Sequence, residues 1–188
     1  MVSIAQKEQE KYKEVWQLPG YDKNSPGEDW ADLFAEISGC QEGETLIDAG
    51  CGIGAAGKKL RAAYGLDVTF MDMNQGDLKE DTFVEGCIWH KDWVEWGPWK
   101  YAYCCDVMEH LPQEFTMLSL DRLLHAADWV FLSISFNPDN FGKYIGQPLH
   151  LTVQPFSWWR DAIREIADVC EARDLMGEGI FHLERKLT

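Results

Sequence analysis

The chain has 188 residues, with 17 Lys or Arg against 32 Asp or Glu and a formal net charge of −15. That length supports one domain with a sizeable core and not two ordinary ones, and 46% hydrophobic residues exclude a disordered chain. The acidity argues against a surface that grips long nucleic acid, and no apolar run is long enough to span a membrane.

The elements follow in order. Residues 3–18 predict a helix, with Ile4, Tyr12, Val15 and Trp16 among polar residues and Pro19-Gly20 as its stop. "YDKNSPGEDW" is turn-rich, and Glu28 to Ser38 predict a second helix with Trp30, Leu33, Phe34 and Ile37 on one face. From there strands alternate with helices. "ETLIDA" is a strand, Ala55 to Tyr64 a crossover helix, "LDVTFMD" a second strand, "DTFVEGCIW" a weaker third and "WKYAYCCDV" a fourth. Gln113 to Ala126 predict a helix with Phe115, Leu118, Leu120, Leu123 and Leu124 as its apolar positions. "DWVFLSISF" is a fifth strand, Pro155 to Ile166 a helix, and "ADVCEARDL" with "GIFHLERK" a closing hairpin. The expected architecture is α/β: a Rossmann-like, seven-stranded, mainly parallel sheet with helices on both faces and an antiparallel C-terminal hairpin.

In such a sheet, ligands bind beyond the carboxyl ends of the strands. "AGCGIG" follows the first strand, where Gly50 and Gly52 permit a tight turn against a ligand. A second acid, Asp72, ends the next strand, 24 positions after Asp48, and can accept from ribose hydroxyls. Read as G-x-G-x-x-A, the turn is a dinucleotide fingerprint. A pyrophosphate would then lie near the Asp48 carboxylate, which repels it. A nucleoside carrying a sulfonium and an ammonium suits that carboxylate better.

"LIDAGCGIG", "VTFMDMN" and "YCCDVMEHLP", at this ordered spacing, resemble three motifs of the class I S-adenosylmethionine-dependent methyltransferases. The resemblance spans residues 44–186. The flanks "YKEVWQLPGYDKNSPGEDWADLF" and "GQPLHLTVQPFSWW" resemble a small group of methyltransferase-like proteins common in bacteriophages and some bacteria. The family likeness implies S-adenosyl-L-methionine as cofactor and S-adenosylhomocysteine as product. It implies that Asp48, Gly50, Cys51 and Gly52 line the methionine and ribose side, that Asp72 binds ribose and that Met73 packs on adenine. Asp92 would accept from the adenine amine, Trp89 or Trp93 would stack, and Asp106 would face the methyl group or the acceptor.

An acceptor bearing a proton needs a base. Glu109, His110 and His150 are the candidates, each with a plainer role in loop structure or packing. His90, His125 and His182 read as surface or packing residues, and Trp158 and Trp159 as core at a helix start. No spacing resembles a metal site strongly, so no metal is expected. The six cysteines form no CxxC pair. With a charged N-terminus lacking an apolar signal core, this implies a cytoplasmic chain, or host cytoplasm if phage-encoded. The expectation is a single domain: residues 1–40 a helical lid and 44–186 the core. The expected acceptor is a small molecule or single nucleobase, met by residues 1–40, 89–100 and 136–155, which are aromatic and not basic. Two alternatives stand beside the methyltransferase: a non-catalytic S-adenosylmethionine-binding regulatory module, and an NAD-dependent oxidoreductase on the same turn. Oligomeric state is left open.

Overall fold

A computed structural model describes residues 2–21 and 25–186. Residues 22–24, within the expected turn-rich loop, fall outside the described residues, as do Met1, Leu187 and Thr188. Helix α1 is Ile4–Val15, opened by a capping box in which Ser3 and Gln6 satisfy each other's backbone donors. Helix α2 is Pro26–Ser38, two residues longer at its start than its apolar stripe predicts. Proline suits the first helical turn, and Gly27 is drawn into the helix because Tyr103 Oη donates to its carbonyl.

Strand β1 (Thr45–Ala49), helix α3 (Ala55–Tyr64) and strand β2 (Asp67–Asp72) form the first crossover unit. Strand β3 is only Phe83–Glu85, where the sequence suggests nine residues, 81–89. Gly86 ends it by donating to Asp72 O, and the chain then coils so that Trp89 and Trp93 turn into the core. Next come β4 (Trp99–Cys105), α4 (Gln113–Ala126), β5 (Ala127–Ser135), α5 (Phe156–Ile166), β6 (Ala167–Leu175) and β7 (Glu178–Arg185). Leu118 of α4, expected in the core, is 36% exposed, so the buried stripe runs through Leu120, Leu123 and Leu124.

The seven strands order β3-β2-β1-β4-β5-β7-β6. Every pair from β3 to β5 is parallel, while β7 is antiparallel to both β5 and β6. Side chains alternate between the faces. Ile47, Ala102, Cys104 and Leu132 pack with Leu120 and Leu123 of α4 and Trp159 and Ile163 of α5. Leu46, Val68, Phe70, Tyr103 and Phe131 pack on the other face with Phe34 of α2 and Leu60 of α3. The chain leaves β1 on one side for β2 and β3, then returns to its other side for β4. Strand order therefore reverses at β1–β4, and the crevice beyond their carboxyl ends is where this fold receives ligands. No helix among the described residues is long and apolar enough to cross a membrane.

Candidate active site

A cleft opens at that reversal point, with about 1050 Å³ of empty space counted out to solvent. Its floor is the turn after β1, the end of β2 and the end of β4; its roof is α1 and the start of α2.

The turn is built from backbone. Gly50 and Gly52 take φ of 78° and 53°, conformations that cost a side-chain-bearing residue energy. A Cβ on Gly50 would collide with Val107, and one on Gly52 would lie 2.9 Å from the Trp16 ring. The N–H groups of Gly50 and Cys51 both donate to Met71 O, at 2.7 and 3.0 Å. Gly52 N–H donates to Asp72 Oδ2 at 3.0 Å, and Asn74 N–H to Asp72 Oδ1 at 3.0 Å. The donors that a phosphate would need at residues 50–52 are thus already paired within the protein.

Asp48 lines the cleft and also carries a structural duty that its sequence context does not disclose. Its Oδ2 accepts from Gly57 N–H at 2.9 Å, tying β1 to the first turn of α3, where a carboxylate complements the helix dipole. Burial pushes its carboxyl up to about 7, against the opposing pull of the Gly57 bond, and Asp72 adds to the rise. Burial likewise raises Asp72 despite its backbone donors. Asp106 is the third aspartate of the lining. Glu8, also in the lining, is paired with Lys11. No lysine or arginine lines the cleft among the described residues.

Cys51 and Met73 line the cleft, as do Tyr12, Trp16, Tyr21 and Ser25 to Gly27, the residues grouped in the expected lid. Asp92 and Trp93 do not. Trp93 is a core residue whose indole donates to Ile88 O at 3.2 Å, and Asp92 is exposed beside a smaller hollow with Cys87, His90 and Trp96. The tight coil of Asp92–Trp96 turns them from the cleft. Gly86, Ile88 and Trp89 line the cleft instead, with Trp89 stacked on Phe115 at 4.9 Å. Of the two tryptophans proposed for stacking, only Trp89 reaches the cleft.

At the β4 end, Asp106 adopts φ of 58°, a left-handed conformation rare for a residue other than glycine. Strained backbone of this kind concentrates at functional sites. Asp106, Glu109, His110 and His150 come together there, each offering a ligand atom within 4.8 Å of the others. His110 faces the cleft; its Nδ1 lies 2.6 Å from Tyr12 Oη and its Nε2 is 3.9 Å from Asp106. His150 packs edge-on behind His110, at 4.5 Å between ring centres, and is absent from the cleft lining. Its Nδ1 sits 2.5 Å from the Asn137 carbonyl, which only accepts, so Nδ1 carries the hydrogen and Nε2 keeps a lone pair.

Glu109 is fully buried. Its Oε1 accepts from Ser135 N–H at 2.6 Å, and its backbone carbonyl accepts from Leu151 and Thr152. Burial, and then the Asp106 carboxylate, raise the Glu109 carboxyl well above its ordinary range. Burial alone would raise Asp106 too, but hydrogen bonding and charge from His110 hold it below its usual value. Asp139 was missed in the sequence reading. It accepts from Gly142, Leu149 and His150 N–H, folding the loop that delivers His150. The turn sequence Asn137-Pro138-Asp139 was the available signal.

No family model and no curated protein matches the sequence. Solved structures do resemble the fold. Magnesium protoporphyrin IX methyltransferase (ChlM) from Synechocystis PCC 6803, with bound SAH, is 18% identical, covering 96% of this chain and 95% of its own at a TM-score of 0.61. The putative methyltransferase complexed with the Trm112 activator of Haloferax volcanii is 13% identical, covering 91% of this chain and 96% of its own at 0.68. The cyclase SpnF is 10% identical, covering 86% and 81% at 0.65. These likenesses establish the class I methyltransferase fold. The presence of a cyclase among them means that chemistry has to be argued from the site.

Proposed function

We propose that this chain is an S-adenosylmethionine-dependent methyltransferase acting on a small-molecule or single-nucleobase acceptor. One observation carries the reading: the cleft is lined by Asp48, Asp72 and Asp106 with no lysine or arginine among the described residues, and the turn donors at residues 50–52 are internally paired. Such a wall favours a nucleoside bearing cationic groups and disfavours one bearing a diphosphate. The resemblance of the three motifs and the SAH-bound structural neighbour agree with it.

In this reading Asp72 would hold the ribose with the lone pairs left over from Gly52 and Asn74, and Met73, Ile88 and Trp89 would enclose the base. Asp48 would supply negative charge near the turn. The bound cofactor supplies an activated methyl group, so the protein's tasks are alignment, exclusion of water and handling of the acceptor's proton. Tyr12, Trp16 and Tyr21 roof the cleft and would keep water out. His110 faces the cleft and is the group placed to take that proton. Tyr12 and Asp106 orient its ring, and His150 and Glu109 act through it as positioning residues.

Calorimetric titration with S-adenosylmethionine, S-adenosylhomocysteine and NAD tests the assignment. The expected result is one site for each of the first two and none for NAD. Binding of NAD in preference to the sulfonium compound would overturn it.

A further inference from the structure

The Asp106–Glu109–His110–His150 cluster has a feature that proton handling does not use. Glu109 Oε2 is fully buried with no N–H or hydroxyl donor to pair it, and the group its carboxyl meets is Asp106, another carboxyl. A buried carboxylate oxygen left unpaired is costly, and native structures pair such atoms with a donor, an ordered water or an ion. Two carboxyl groups and two imidazoles converge on this point, with ligand atoms all within 4.8 Å of one another. Donors bound at about 2.1 Å on opposite sides of one ion lie about 4.2 Å apart, so small side-chain rotations suffice to close the set.

The histidines are dressed as metal ligands are. Both have Nδ1 engaged outward, His150 with the Asn137 carbonyl and His110 with Tyr12 Oη. Each is left with Nε2 for the cluster. A ligating histidine commonly uses its other ring nitrogen in this way, which fixes the tautomer and the ring's orientation. The fold also holds the set rigidly. Glu109 Oε1 is anchored on Ser135, its carbonyl on Leu151 and Thr152, and His150 is fixed through Asp139.

We infer that Asp106, Glu109, His110 and His150 form a binding site for one divalent first-row transition-metal ion at the acceptor end of the cleft. Two imidazoles favour such an ion over magnesium or calcium, which prefer oxygen ligands throughout. This departs from the expectation of no metal, which rested on the lack of any strong ligand spacing along the chain. With the ion bound, His110 becomes a ligand and not the proton acceptor, and an acceptor oxygen can occupy a remaining coordination position. That last role rests on the methyltransferase reading; the site itself does not.

The test uses the full chain, stripped with a chelator, and titrated calorimetrically with manganese, zinc and magnesium chlorides. One manganese or zinc ion per chain is expected, with magnesium at least tenfold weaker. His150→Ala should weaken manganese binding at least tenfold, and Glu109→Gln at least as much, while the surface control His125→Ala should leave it unchanged. Because Glu109 is buried, circular dichroism must show each variant folded; His150→Ala, at a partly exposed site, carries the test if Glu109→Gln fails to fold. Manganese electron paramagnetic resonance should show nitrogen hyperfine coupling that diminishes in His150→Ala. Absence of stoichiometric binding to the folded wild type overturns the inference in favour of a proton shared between Glu109 and Asp106. So does binding that is indifferent to His150→Ala. Metal binding without cofactor binding would instead remove the methyltransferase reading and leave the metal site standing.

Discussion

The two ends of the cleft are built differently. At the β1–β2 end, polar groups satisfy one another over short stretches of chain: Asp48 with Gly57, Asp72 with Gly52 and Asn74, and Gly50 and Cys51 with Met71. Three glycines at residues 50–54 hold positive φ and the donors point inward. At the β4–β5 end the partners come from distant parts of the chain. Tyr12 meets His110 across 98 residues, and the Glu109 carbonyl accepts from Leu151 and Thr152 in the loop after β5. One buried oxygen there remains unpaired. The first end is a closed, self-satisfied cradle lined by Asp48 and Asp72. The second leaves one polar atom in want of a partner, which is the observation that the metal proposal starts from.

That contrast makes the first end intolerant of change. Gly50→Val should have the largest effect. It would force a β-branched residue to φ of 78° and drive its Cβ into Val107. The left-handed backbone alone costs about 1–2 kcal/mol and the overpacking about 1–3 kcal/mol more. The expected outcome is a fall of about 2–5 kcal/mol in unfolding free energy by urea denaturation, together with loss of detectable nucleoside binding. Near-normal stability would mean that the turn is slack and the cradle not fixed. A smaller effect is expected from Asp72→Ala, which should weaken S-adenosylhomocysteine by about 1–3 kcal/mol, the cost of leaving ribose hydroxyls unpaired. Asp72→Asn keeps an acceptor for Gly52 N–H and should recover part of that loss. Unchanged affinity in Asp72→Ala would take the residue out of the site.

The same contrast governs what could be read from the sequence. Local patterns carried the frame: Ala55–Tyr64 and Gln113–Ala126 follow the expected limits to the residue, because a glycine turn and a proline mark their starts. The β1–β2 end follows a local pattern too, since its residues belong to one strand–turn–helix–strand unit with a recognisable order. The stretch "KDWVEWGPW" was not. Its tryptophans have no helical or strand period, and only the tertiary structure decides that Trp93 is buried while Trp96 is 71% exposed. Asp92, expected at the adenine edge, lies outside the cleft for that reason. The β4–β5 end was half legible: Asp106, Glu109 and His110 form one motif. Their junction with Tyr12 and His150 depends on how α1 and the loop after β5 fold back, which no local pattern encodes.

The finest distinction between the ends is protonic, and Asp48 measures it. Its carboxyl is raised to about 7 in the folded chain, chiefly by burial, and titrates near 3.9 when unfolded. Between those values the folded state holds the extra proton, so this group's contribution to stability is present at low pH and is lost as pH rises through about 7. Asp72, also raised by burial, acts in the same sense. The thiols of Cys51, Cys104 and Cys105 and the Tyr103 phenol, which also lie near Asp48, are pushed up by burial and stay neutral over this range. A cationic ligand reverses the preference, because it is held best by the ionised carboxylate and its binding must expel the proton. Affinity for S-adenosylmethionine should therefore rise by about tenfold from pH 6 to pH 8. The melting temperature of the free protein should fall over the same interval. Calorimetry in two buffers of different ionisation enthalpy would register the released proton, and Asp48→Asn should diminish both the release and the slope, leaving the share due to Asp72. A flat affinity profile in the wild type would mean that Asp48 serves only to tie β1 to α3, and the charge argument for the cleft would then have to stand on Asp72 and Asp106 alone.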